Sequence, residues 1–166
     1  MTINMTRLVS TLFVSALLAL PTLQPARAQS PSPVLQTDGV IKVKSVYPLG
    51  ETIVRIKQDI AAKGIKFFDE IDQAKLGGDA GIKLRPSTLL IFGNPPLGIQ
   101  FLTSNPNAGL DWPVRLLVMQ DENGDVYAAY TDFGWIAKRH GITDRDAQFK
   151  MASTVVSSIL STVSAK

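Results

Sequence analysis

Cysteine is absent from the 166 residues and histidine occurs once, at His140. The first absence excludes disulfides, thiolate metal sites and lipid attachment at a cleavage-site cysteine. The second leaves one side chain whose ordinary titration falls near neutral pH. No Gly-x-Ser-x-Gly elbow marks a serine nucleophile, and neither a dinucleotide fingerprint nor a phosphate-binding loop occurs, the glycines at 77, 78 and 81 matching neither pattern. Gly77-Gly78 reads as a flexible loop. There is no internal repeat, heptad series or low-complexity block, and no basic stripe with interleaved aromatics to neutralise phosphates, so nucleic acid is not an expected partner.

Long apolar runs are scarce as well. One, Leu8 to Leu20, carries no charge, follows the lone basic residue Arg7 and is followed by Pro21 and the small-residue triplet Ala26-Arg27-Ala28. It is shorter than the roughly 20 residues that a spanning helix needs. The layout is that of a secretory signal peptide, residues 1–28, cleaved after Ala28, which implies a periplasmic or secreted protein with no membrane attachment after cleavage. The net charge of +3, from 17 basic and 14 acidic residues, then falls to +1, because Arg7 and Arg27 leave and no acid does. Residues 29–39, opening with Gln29-Ser30-Pro31-Ser32-Pro33, have the composition of a flexible linker. Residues 40–166 fit one domain, held together by its core alone.

Along that domain, Val40 to Val46 alternates like a strand with one wet face. Glu51 to Lys63 sets Ile53, Ile56 and Ile60 at helical spacing before a stop at Gly64. Ile65 to Asp72 reads as a strand with Phe67 and Ile71 on one face. The run Leu89 to Phe92 is wholly apolar, the pattern of a central strand buried on both sides, and leaves through Gly93-Asn94-Pro95-Pro96, with Asn94 placed to cap a helix from Pro95 to about Ser104. Val114 to Met119 and Asp125 to Thr131 flank Asn123-Gly124, a hairpin signal in which both turn residues tolerate positive φ. A short helix over Gly134 to His140 stops at Gly141, and Thr143 to Asp146 resembles a capping box for a last helix. This order, with its hairpin, predicts an α+β two-layer sandwich whose mainly antiparallel sheet is covered by helices.

Gly81-Ile82-Lys83-Leu84-Arg85-Pro86-Ser87-Thr88-Leu89-Leu90-Ile91-Phe92-Gly93-Asn94-Pro95, with Gly109-Leu110-Asp111-Trp112-Pro113 and Asn123-Gly124-Asp125-Val126-Tyr127, resembles the domain-of-unknown-function family 302 over roughly residues 40–140. The resemblance implies a compact α+β domain that pairs into homodimers. Tyr130, Asp132, Arg139 and His140 match a segment of the family pattern. Where that pattern usually has histidine after Ile-Asp, Gln73 follows Ile71-Asp72, and an amide cannot serve as a base near pH 7. A metal or haem site resting on that histidine does not carry over, and neither cofactor nor metal is expected.

Candidate ligand-binding residues are Asp72, Arg85, Asp111, His140 and Tyr130. Asp72, Arg85 and Asp111 are expected to gather at strand ends beside Leu89 to Phe92, with His140 joining only if the hairpin exit folds back over them. Arg85 is a plausible anion binder that could instead pair with Asp72 or Asp79, Asp111 a possible turn cap, and His140 a possible partner of its own helix dipole. Tyr127, Tyr130, Phe133 and Trp135 suit a core or subunit interface, or else the wall of an apolar ligand site. Three functions stay open: a non-catalytic homodimer that binds a small molecule or a protein partner, an acid-base enzyme using Asp72, Asp111 and His140, and a redox accessory protein. The last is poorly supplied, since Met1 and Met5, half of the four methionines, leave with the signal.

Overall fold

A computed structural model describes residues 34–35 and 38–165. The signal peptide expected over residues 1–28 lies outside them. Six strands form one antiparallel sheet in the order β1-β2-β6-β5-β4-β3. They are β1 (Val34–Leu35), β2 (Val40–Lys44), β3 (Lys66–Asp72), β4 (Ser87–Gly93), β5 (Val114–Gln120) and β6 (Val126–Thr131). The helices are α1 (Leu49–Ala62), α2 (Gln73–Asp79), α3 (Pro95–Ser104), α4 (Phe133–Arg139) and α5 (Asp146–Leu160), with a 3-10 turn at Pro106–Leu110. The fold is the expected α+β sandwich. Two elements differ from the expectation: β1, which pairs with Lys42 and Ile41 from within the 29–39 segment, and α2, which includes Gly77-Gly78 in a helix where the sequence suggests a flexible loop.

The core lies between one sheet face and α1, α3, α4 and α5. Helix α1 buries Thr52, Ile53, Ile56 and Ile60, the isoleucines at the spacing seen in the sequence, and crosses the sheet from β2 to the far edge strand β3. It ends in a Schellman motif: Gly64 takes φ +64°, its N–H reaches Ala61 O at 3.0 Å and the Ile65 N–H reaches Ile60 O at 3.1 Å. The strand register places Val43, Val126, Ala128, Tyr130, Leu116, Val118, Leu90 and Phe92 on the helix-covered face, and all are buried.

The opposite face is bare of helices from α1, α3, α4 and α5. It presents Ile71, Leu89, Ile91, Leu117, Met119 and Tyr127, each half-buried. This corrects the expectation for Leu89 to Phe92: β4 lies next to the edge strand β3 and alternates between a buried and a half-buried side chain, the central pair being β5 and β6. Phe67 and Ile71 also do not share a face. A register shift between Phe67 and Asp69 inserts Phe68 as a bulge, so Phe67 pairs with Phe92 on the helix side while Ile71 pairs with Leu89 on the other.

Caps differ from the sequence pattern too. Asn94 occupies the N-cap position of α3 without a side-chain cap bond; its backbone carbonyl accepts from Leu97 N at 3.1 Å and Gly98 N at 2.8 Å. The Thr143 to Asp146 box does not form, because α5 starts one residue after Arg145, leaving Asp146 at its first position, and Asp144 binds Arg145 and Ser104. The hairpin turn spans Asp121 to Asp125, where Gly124 alone takes positive φ and the Asp121 carboxylate accepts from the N–H groups of Asn123 and Asp125.

Candidate functional site

The anticipated cluster does not assemble. Asp72 is at the β3 end that pairs with Thr88, and Arg85 precedes Ser87, so both sit at the start of β4. Asp111 lies before β5, whose Val114 pairs with Phe92 at the other end of β4. Four residue steps along β4, about 13 Å, separate Thr88 from Phe92, and Asp111 lies three residues before Val114. Asp72 caps α2, accepting from Lys75 N at 2.8 Å. Arg85 is exposed and makes no ion pair with Asp79, which binds Lys75. The short connection carrying α2 holds Asp72 and Arg85 at their own end of the sheet.

His140, the conditional member, is the residue that does meet Asp111. Its Nε2 lies 2.6 Å from Asp111 Oδ2, with the two side chains 5% and 4% exposed. Arg115 Nη2 approaches Asp111 Oδ1 at 3.1 Å and Arg139 Nη1 approaches Oδ2 at 3.2 Å. Arg115 also donates to Leu110 O, and Asn105 Nδ2 donates to His140 O at 2.8 Å. One carboxylate therefore ties the 3-10 turn, the start of β5 and the end of α4 into a clasp. The imidazole is enclosed, and this geometry suits fastening better than proton exchange with a substrate. Tyr130 is remote from Asp72 and Arg85; it is buried in the core with its ring 6.2 Å from that of Phe133. Burial raises its phenol above the ordinary value and the Asp132 charge adds to this, while the Ser157 hydroxyl lowers it.

The clasp has a neighbour that the sequence did not disclose. Trp112 follows Asp111 directly and forms one wall of an apolar cavity of about 270 Å³ between the sheet end, α3 and α5. Phe92, Phe101, Val156 and Ala152 supply the interior, Met151 and Val155 stand on α5, and Lys63, Asn94 and Trp112 are the lining residues with side-chain nitrogen. Gly93 and Gly98 admit the indole: a Cβ on Gly98 would lie 1.7 Å from Trp112 Nε1, and one on Gly93 3.2 Å away. The bulged Phe68 meets the indole edge-on, with ring centroids 6.2 Å apart at 79°. Phe133 also lines the cavity, so one of the anticipated aromatic group reaches it. Among the described residues no three of His, Asp and Glu converge as a metal site would require.

A single antiparallel sheet with helices on one face and a cavity at their junction defines a two-layer α+β domain. The same fold occurs in the crystal structure of an uncharacterized conserved protein DUF302 from Bacillus stearothermophilus, with a TM-score of 0.69 and 17% identity over 75% of this chain and 98% of that one. The family model described as Domain of unknown function DUF302 matches residues 41–159, and the chain belongs to that family. Among curated proteins, the Fluoride-specific ion channel FluC 1 of Brucella suis biovar 1 (strain 1330) is 34% identical over 104 residues, covering 63% of this chain and 41% of that protein. The Fluoride-specific ion channel FluC 1 of Brucella abortus biovar 1 (strain 9-941) matches at 34% over 104 residues, 63% of this chain and 38% of its own. The chain thus spans about two fifths of the curated relatives it matches. No helix among the described residues is long and apolar enough to cross a membrane.

Proposed function

We propose that this protein is an exported, non-catalytic binding module that takes a small apolar ligand in the cavity beside Trp112 and works as a homodimer. The cavity carries the reading: about 270 Å³ of space walled by aromatic and aliphatic side chains, with few polar groups at its margin, is the composition of a small-molecule site. A packed domain leaves few voids of this size. The signal-like N-terminus supports export. The half-buried apolar residues of the open sheet face support pairing, because a patch built from Ile71, Leu89, Ile91, Leu117 and Met119 gains by meeting a second copy. The acid-base alternative is disfavoured by the distance between Asp72 and Asp111 and by the enclosure of His140.

Titration of the mature chain with small apolar probes, followed by Trp112 fluorescence in a Trp135→Phe background, tests the cavity. Saturable quenching or enhancement is expected, and a flat response across the probes contradicts it.

The relatives' names give a second reading, in which the domain serves a fluoride channel at a membrane. Copurification of such a channel with the tagged protein from host membranes is its expected signature.

A further inference from the structure

Resting on the reading of the cavity as a ligand site, we infer that its ligand is an amphipathic carboxylate, with the apolar body inside and the carboxylate at the lip beside Lys63. The interior admits nothing polar: Phe92, Phe101, Ala152 and Val156 are buried and offer only carbon to an occupant. A cavity of about 150 Å³ holds benzene, so 270 Å³ holds a body of roughly ten heavy atoms.

The lip selects the head group. The lining side chains that carry polar groups are Lys63, Trp112 and Asn94, and the ammonium and the indole N–H can only donate. A head group that accepts from both is required. Lys63 is ion-paired with Asp59, Nζ to Oδ2 at 2.6 Å, which leaves two of its three donors for a ligand. Asn94 stands at the N-cap of α3 without capping it, so its amide can turn to a ligand with no loss to the helix. The backbone of α3 adds little, because Pro95 and Pro96 have no N–H and the N–H groups of Leu97 and Gly98 are held by Asn94 O. Recognition therefore falls to side chains, and Lys63 supplies the only full positive charge among those lining the cavity.

Octanoate and 1-octanol share a body of suitable size and differ in the head group, so isothermal titration of the mature chain with each separates the cavity from its selectivity. Octanoate is expected to bind at least about tenfold more tightly, equivalent to one 1.4 kcal/mol step. Lys63→Met, which keeps the aliphatic stem, is expected to erase that preference by weakening octanoate far more than octanol. Ala152→Phe fills the cavity and is expected to abolish both, with cooperative thermal unfolding retained; Val155→Phe replaces it should that variant fail to fold. Equal affinity for the two probes, or octanoate binding indifferent to Lys63→Met, overturns the carboxylate assignment and leaves the cavity standing. If neither probe binds the unaltered protein, or if both still bind once the cavity is filled, the cavity reading falls and this inference with it.

Discussion

Asp111 accepts from His140, Arg115 and Arg139 while almost wholly enclosed, and the residue after it is the wall of the cavity. Removing the carboxylate leaves a buried imidazole and two guanidinium groups without their common partner. Asp111→Ala is therefore expected to lower stability by about 3 kcal/mol and to weaken ligand binding through Trp112, measured by urea unfolding and by titration of the same variant. Asn94→Ala should cost under about 0.5 kcal/mol, below the range for a lost N-cap, because no cap bond exists to lose. Tyr130 gives a pH test. Its folded-state proton is held more tightly than the ordinary phenol value of 10.0, so above that pH the unfolded chain releases a proton that the folded chain keeps, and stability falls as pH rises. Urea midpoints measured across pH 9 to 11, the region of about pH 10 where tyrosine ordinarily titrates, should decline less for Tyr130→Phe than for the unaltered protein. The individual residues of the clasp were legible as candidates, Asp111 and His140 both standing out by type. Their meeting was not, since it depends on how the hairpin exit returns past the 3-10 turn, 29 residues away along the chain.

At the scale of elements, the sequence was most readable where a periodic apolar pattern met a Gly stop. Gly64-Ile65 and Gly141-Ile142 end α1 and α4 with the same pair of backbone bonds. Gly81-Ile82 ends α2 in the same way. That repeated Gly-Ile pair was the signal for α2, masked by Gly77-Gly78, which is a poor helix dipeptide by propensity. Contact explains one of those glycines: a Cβ on Gly77 would lie 2.8 Å from Ile82 O and 2.9 Å from Leu84 Cδ1, whereas Gly78 faces open space. Gly78→Ala should thus stabilise the protein by about 0.5 to 1 kcal/mol, and Gly77→Ala should destabilise it, both readable as shifts in urea midpoint. The bulge at Phe68 had no comparable signal, because a period-2 pattern of seven residues does not reveal one inserted residue. Its consequence is local and specific: it turns Phe68 toward Trp112.

For the whole molecule, composition and element order were enough for the α+β sandwich and its antiparallel sheet. They could not reveal the cavity, whose lining comes from the turn after α1, from β4, α3, Trp112, β5, α4 and α5 and whose positions look like ordinary core in the sequence. Nor did the all-apolar run of β4 mean two helix layers; among the described residues one of its faces is only half-buried. If that face packs against a second copy, Leu117→Glu should convert a dimer into a monomer in sedimentation equilibrium with the fold intact, while a chain already monomeric at micromolar concentration removes the pairing. Whether the space beside Trp112 is occupied in the cell is tested most directly by a native mass spectrum of the mature protein purified from its own host. A small organic adduct is predicted on the unaltered protein and absent from Ala152→Phe prepared in parallel. Spectra without an adduct on either protein, or an adduct that survives filling the cavity, would contradict the account.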